Sequence, residues 1–278
     1  MTTAILKYPG GKWRIADWII SHFPAHKVYI EPYFGSGGVF FNKEPSYLET
    51  INDINGDIVN LFKVCRERPD ELARALEFTP WARDEYKSCY RIEGDEVERA
   101  RRTLVRHHQS FGTTNSNLNT WRNSQTYNSP RCAAQWSALP ETVLKICGRL
   151  KQTQIENTDA LTLIERYDDS DTLIYLDPPY LQSLRKRNMY KFEMTEAQHL
   201  ELLRLILKSK SKICLSAYDN GLYNDYLKDW YTSEKPTTAQ MQAQSRKAIY
   251  ELSAEFIVFR VKQCTDKYQS SITRHNHC

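Results

Sequence analysis

Residues 176–180 read Leu-Asp-Pro-Pro-Tyr. An acid leaves the end of an apolar run, enters two consecutive prolines and meets an aromatic ring. Pro178 and Pro179 fix φ and remove two backbone donors. The carboxylate of Asp177 and the neighbouring carbonyls therefore form a rigid edge rich in acceptors. The chemical complement of such an edge is a group with two N–H donors, an exocyclic amine. Tyr180 adds a ring face on which a planar base can stack. Taken alone, the four residues could also be a plain turn.

A second group lies far upstream. Phe34-Gly35-Ser36-Gly37 follows an alternating, β-prone stretch, VYIEPYF (28–34). Glycines at a strand-to-helix turn let a ligand approach the backbone closely. Asp53 ends the next β-prone stretch, SYLETIND (46–53), 18 residues after Gly35. A carboxylate there is suited to accept hydrogen bonds from ribose hydroxyls. The glycine-rich fingerprint of dinucleotide enzymes is incomplete, since 35–40 reads GSGGVF. Each piece has a bland reading, but their order along one chain points to a nucleoside cofactor and an amine substrate.

The elements that must position these residues follow from periodicity. VFFNK (39–43) can open a helix after the glycines, and GDIVNLFKVCRERPDELARALE (56–77) has apolar residues at three- and four-residue spacing. A helix is expected around 137–151, a short strand at 151–159, the strand TLIYLD at 172–177, a helix from about Thr195 to Lys208 and the strand SKICLSAY at 211–218. YELSAEFIVFRV (250–261) reads as a last strand or hairpin. Alternating strands and helices predict a mostly parallel sheet covered on both faces. Residues 80–130 break the pattern and are expected to form an inserted subdomain.

Four motifs then stand in one order: KYPGGK (7–12), EPYFGSGGVFF (31–41), INDIN (51–55) and LDPPY (176–180). Together they resemble the Dam-like, α-group adenine-specific DNA methyltransferases, over roughly residues 4–64 and 151–226. The resemblance implies an α/β, Rossmann-like S-adenosylmethionine-dependent methyltransferase fold with an inserted, mostly helical target-recognition subdomain. It divides the chain into a catalytic part (1–64 and 151–278) and a recognition part (65–150). It places Tyr8, Lys12, Phe34, Gly35, Ser36, Gly37, Asp53, Asp159 and Asp177 at S-adenosylmethionine, with Asp159 reading the cofactor's adenine amine. Asp177, Pro178, Pro179 and Tyr180 would grip a target adenine flipped out of duplex DNA. Tyr8 stands where the enterobacterial enzymes have Trp, and SRKAIYELSAEF (245–256) matches the family's last motif only loosely.

Charge distribution fits a nucleic-acid partner. The net charge is only +4, but no Asp or Glu occurs from Arg99 to Pro140. Arg101, Arg102 and Arg106 fall there and are expected to meet phosphates from one helix. The polar run beyond Gln109 holds Asn115, Asn117, Asn119, Arg122, Asn123 and Gln125, the side-chain types that read purine edges. Arg185, Lys186 and Arg187 follow Tyr180 and fit a backbone-contacting loop. A solvated basic face or an ordinary loop is the competing account of each. The seven cysteines are scattered without a C-x-x-C pair, so neither a metal site nor a disulfide framework is expected. No apolar stretch is long enough to span a bilayer. A monomeric cytoplasmic protein of bacterial or phage origin is the expectation. Rival readings are methylation of cytosine's 4-amino group, methylation of a protein glutamine, and a DNA-binding homologue without catalysis.

Overall fold

The computed structural model describes residues 4–91, 93–111, 121–123, 127, 131–184, 190–237 and 255–261. The chain begins with a short helix, α1 (Ala16–Ile20), and then lays down β1 (Val28–Glu31) and β2 (Leu48–Asn52). Four helices and two shorter ones follow or flank the irregular middle: α2 (Gly56–Glu67), α3 (Pro69–Glu77), α4 (Arg83–Ser88), α5 (Glu96–Gln109), α6 (Cys132–Ser137) and α7 (Leu139–Leu150). Regular alternation returns with β3 (Thr153–Glu156), α8 (Ala160–Arg166), β4 (Thr172–Leu176), α9 (Glu196–Lys208), β5 (Lys212–Tyr218) and α10 (Gly221–Tyr226). The last described elements are β6 (Tyr231–Thr237) and β7 (Glu255–Val261).

Among the described residues, seven strands form one sheet in the order β3-β2-β1-β4-β5-β7-β6. The first five are parallel, while β7 runs antiparallel between β5 and β6. The order reverses direction between β1 and β4, which pair with Ile30 opposite Ile174. In sheets of this kind ligands bind beyond the carboxyl ends of the strands at that reversal.

Strand side chains alternate between two cores, because successive Cβ atoms point to opposite faces. Tyr29, Leu173, Tyr175 and Cys214 join one core, and Ile30, Ile174, Leu176, Ile213 and Leu215 join the other. The first core continues without interruption through α2, α3, α5 and α7, taking in Leu61, Leu72, Leu104, Val105, Val143 and Ile146. The second is closed by Leu163 and Ile164 of α8, Leu202, Leu203 and Ile206 of α9, and Tyr223 of α10. The helices after α2 thus share the sheet's own core, and the expected boundary at residue 65 falls inside α2.

Two local expectations are corrected. The stretch 56–77, read as one helical segment, is two helices, because Pro69 lacks the N–H needed to continue α2 and instead occupies the first turn of α3. The residues after the glycine corner do not open a regular helix. They close two turns, with Phe41 N donating to Gly37 O at 3.0 Å and Lys43 N to Val39 O at 3.1 Å. Pro45 forbids further helix two residues on, and the Asn42 side chain takes the Gly38 carbonyl at 2.7 Å.

Among the described residues no helix is long and apolar enough to cross a membrane. Cys65, Cys89, Cys132, Cys147 and Cys214 are buried free thiols.

Candidate active site

Three strand ends and the N-terminal segment converge on one cavity of about 580 Å³. Beyond β1 the chain is tied to β2: Phe34 N donates to Asn52 O at 2.9 Å, and Asn52 Nδ2 donates to Pro32 O at 2.9 Å. Gly35 then turns at φ +52°, and a Cβ there would meet the Tyr8 ring at 3.1 Å. Both the backbone angle and the close aromatic ring disfavour a side chain at this point. The Gly35 N–H donates to Asp53 Oδ2 at 2.9 Å, and Asn55 N–H donates to Asp53 Oδ1 at 2.8 Å. Burial pushes the Asp53 carboxyl up to about 6, with the two N–H donors opposing the rise.

Beyond β4 the carboxylate of Asp177 meets the N-terminal motif. Lys12, only 5 % exposed, donates from Nζ to Asp177 Oδ2 and to Gly10 O, each at 2.7 Å. Tyr180 donates its hydroxyl to Asp177 Oδ1 at 3.2 Å. Burial raises the Asp177 carboxyl above the usual carboxylate range, and the Lys12 ammonium is the main force holding it down. The result is a carboxylate kept at the cavity edge between a cation and a phenol.

Of the sequence-predicted residues, Tyr8, Lys12, Phe34, Gly35, Ser36, Asp53, Asp159, Asp177 and Pro179 line this cavity. Asp159 also caps α8, its Oδ1 accepting from the N–H groups of Leu161 at 2.9 Å and Thr162 at 3.1 Å. Ser36 is buried and accepts the Trp13 indole N–H at 3.1 Å. Pro178 is buried behind the edge, and Tyr180 is buried with its ring centroid 4.2 Å from that of Tyr218. Gly37 serves packing: at φ +66° its Cβ would lie 2.4 Å from Phe34 Cζ, so the position faces the Phe34 and Phe41 rings.

Sequence reasoning missed Glu31. It lines the cavity, is 2 % exposed and accepts the Tyr29 hydroxyl at 2.8 Å. Burial pushes its carboxyl up to about 8. The residue lies in the EPYF stretch, and its position on the last residue of a buried strand was the available signal. Tyr190, Phe192 and Met194 also line the cavity and follow the Asp177 turn in sequence without a motif to mark them.

A family model for the D12 class of N6 adenine-specific DNA methyltransferases matches residues 8–250. The chain belongs to this family. Its reaction is transfer of a methyl group to the N6 amine of adenine in DNA. The chain is 26 % identical over 251 residues to a DNA adenine methylase of Salmonella typhi, covering 84 % of this chain and 85 % of that one. Over 229 residues it is 28 % identical to a DNA adenine methylase of Haemophilus influenzae, covering 77 % and 79 %. It is 24 % identical over 291 residues to the Type II methyltransferase M.MjaIII of Methanocaldococcus jannaschii, covering 89 % and 96 %.

The arginines expected to meet phosphates already have partners within this methyltransferase. Arg101, Arg102 and Arg106 do share one helix, α5, but their guanidinium groups are engaged within the protein. Arg101 pairs with Glu98 at 2.6 Å and Glu85 at 2.5 Å. Arg102 pairs with Glu98 at 2.6 Å and donates to Arg91 O at 2.6 Å. Arg106 reaches Asp57 at 3.3 Å and Thr103 Oγ1 at 3.1 Å. These three guanidinium groups are met by carboxylates outside the acid-free run: Asp57 in α2, Glu85 in α4 and Glu98 in the first turn of α5. Arg122 is partly buried, its backbone N–H donating to Gln109 O at 2.7 Å and its carbonyl accepting from Trp81 Nε1 at 3.0 Å. Asn123 is exposed beside it. Asn115, Asn117, Asn119, Gln125, Arg185, Lys186 and Arg187 lie outside the described residues.

Proposed function

We propose that this methyltransferase takes its methyl group from S-adenosylmethionine and acts on an adenine flipped out of double-stranded DNA, as a monomer in the cytoplasm of a bacterium or a phage-infected cell. The observation that carries this reading is the Asp177 carboxylate, held by Lys12 and Tyr180 at the edge of the cavity that Gly35 and Asp53 bound.

The cavity fits the proposed cofactor in chemistry. Asp53 presents a buried carboxylate for ribose hydroxyls, Asp159 an exposed one for an adenine amine, and Tyr8 and Phe34 aromatic surface for the base. When bound, S-adenosylmethionine supplies a methyl group already activated by its sulfonium. The protein's own task is orientation and placement of charge.

The N6 amine of adenine is a weak nucleophile because its lone pair is delocalised into the ring. Asp177 and the Pro178 carbonyl accept its two hydrogens and so localise that lone pair on nitrogen. Lys12 opposes the rise that burial imposes on this carboxyl. Tyr180 holds the second carboxylate oxygen, and the base reaches this edge at an unstacking cost of about a few kcal/mol.

In this reading residues 1–64 and 151–278 carry the chemistry and 65–150 recognise DNA, with the polar run around Arg122 and Asn123 facing base edges. Arg185, Lys186 and Arg187 contact the backbone beside the flipped base. The experiment is transfer of a radiolabelled methyl group from S-adenosylmethionine to duplex DNA, followed by nucleoside analysis. Label in N6-methyladenine is expected. Label in 4-methylcytosine, in protein or nowhere would overturn the reading in favour of a different substrate or a silent homologue.

A further inference from the structure

Tyr8 is held from three sides. Its ring lies on Gly35, 3.1 Å from where a Cβ would be. The Tyr190 ring stands at 6.2 Å, tilted. On the third side the His107 ring is stacked nearly parallel, with centroids 5.7 Å apart and planes 21° from each other. His107 belongs to α5, ninety-nine residues away in sequence and outside the cavity's lining.

The same imidazole also fixes the backbone that carries Tyr8. Its Nδ1 lies 2.9 Å from the Lys7 carbonyl oxygen. A carbonyl only accepts, so Nδ1 carries the proton and donates. The next residue repeats the arrangement two residues back along the segment, His108 Nε2 donating to Ile5 O at 2.8 Å. Two adjacent histidines of α5 thus clamp residues 5–8, and only one of them also meets a cavity-lining ring. Burial pushes the His107 imidazole down to about 4, so it stays neutral and keeps its ring flat against Tyr8 near neutral pH.

We infer that His107 is a positioning residue for the methyl donor: by donating to Lys7 O and stacking on Tyr8 it fixes the aromatic wall of the cofactor cavity from the helix that belongs to the DNA-recognition part. This rests on the reading of the cavity as the site of S-adenosylmethionine. His107 touches neither donor nor adenine, and its effect runs through Tyr8. The two contacts are separable by substitution. Asn keeps a donor close to the place of Nδ1, Phe keeps a ring, and Ala keeps neither.

The test is the dissociation constant of S-adenosylmethionine by equilibrium dialysis, with kcat at saturating donor and KM for duplex DNA, on folded protein of matched melting behaviour. His107→Ala is expected to weaken donor binding about tenfold, the worth of one hydrogen bond and one ring contact together. Its kcat at saturating donor and its KM for DNA should stay within about twofold, since neither reflects donor ground-state binding. His107→Asn and His107→Phe should each recover part of the loss. A merely structural histidine would lower the folded fraction and leave the affinity of that fraction unchanged. Wild-type donor affinity in His107→Ala, or equal weakening in all three variants, would overturn this inference alone. Failure of the wild-type protein to bind the donor would overturn the reading of the cavity and this inference with it.

Discussion

Lys12 Nζ and Asp177 Oδ2 stand 2.7 Å apart, although 165 residues separate them in sequence. The pair closes one side of the cavity and joins the first motif of the chain to the last. Burial raises Asp177, and Lys12 is the chief opposing influence. Removing the cation in Lys12→Met leaves only the Tyr180 hydroxyl against burial. The acidic limb of kcat/KM for methyl transfer should then move to higher pH, because an adjacent opposite charge favours the ionised carboxylate. Activity lost at neutral pH should partly return in more alkaline buffer, read as a pH profile of initial rates.

Asp177→Asn tests the amine-gripping role directly. Asn retains one acceptor for Lys12 or Tyr180 but turns an N–H pair towards the incoming amine. The kcat should fall about 10²–10³-fold, the scale of losing one oriented polar group at a reacting centre. Donor affinity within about threefold of wild type and an undiminished melting temperature should accompany that loss. Near-normal turnover by this variant would remove Asp177 from the mechanism.

Asp53 provides a pH dependence on the donor side. Its folded carboxyl is pushed up to about 6. Below that value it is protonated and no longer a charged acceptor for ribose hydroxyls. Calorimetric affinity for S-adenosylmethionine should therefore decline as pH falls through about 6 and be nearly flat over the same range in Asp53→Asn.

Glu31 makes a stability prediction with a definite sign. Its carboxyl titrates near 4.5 when free and near 8 in the fold. The folded chain holds the extra proton between those values, so this group's contribution to stability is lost as pH rises through them. Glu31→Gln removes the titration. The melting temperature of the variant relative to wild type should rise steadily from about pH 4.5 to about pH 8 and then level off. A constant difference across that range would show that the carboxyl is not raised.

Arg101 separates an internal ion pair from a DNA contact. Its guanidinium is engaged by Glu85 and Glu98 and is 13 % exposed. Arg101→Met should lower folding stability by about 1–3 kcal/mol through the stranded carboxylates. The slope of log affinity for DNA against log salt should be unchanged. A drop in that slope by about 1 would instead identify a phosphate contact.

Residues at strand ends were the most legible. Asp53 and Asp177 each follow an apolar β-prone stretch, and parallel strands bring such ends to one edge of the sheet wherever the strand order reverses. Gly35 was legible for the same reason. Gly37 was not, because sequence does not say which rings a glycine lies under, and here they are those of Phe34 and Phe41. Counting charge along the chain did not reveal the ion pairs of the α5 arginines. The carboxylates that neutralise them come from Asp57 in α2, Glu85 in α4 and Glu98 one turn away. His107 carried no legible signal at all, since its partners Lys7 and Tyr8 are about a hundred positions upstream.

The place of β7 sets the order in which the molecule can be completed during synthesis. It lies between β5 and β6 and is hydrogen-bonded to both, yet it is made after them. Until residue 261 has cleared the ribosome, β5 presents an open flank of unpaired amides and carbonyls, and β6 has nothing to join. The side of the sheet next to the Asp177 strand is thus the last to be sealed on a nascent polypeptide, and a ribosome stalled before Glu255 would hold a chain whose methylating centre is built on an unfinished border.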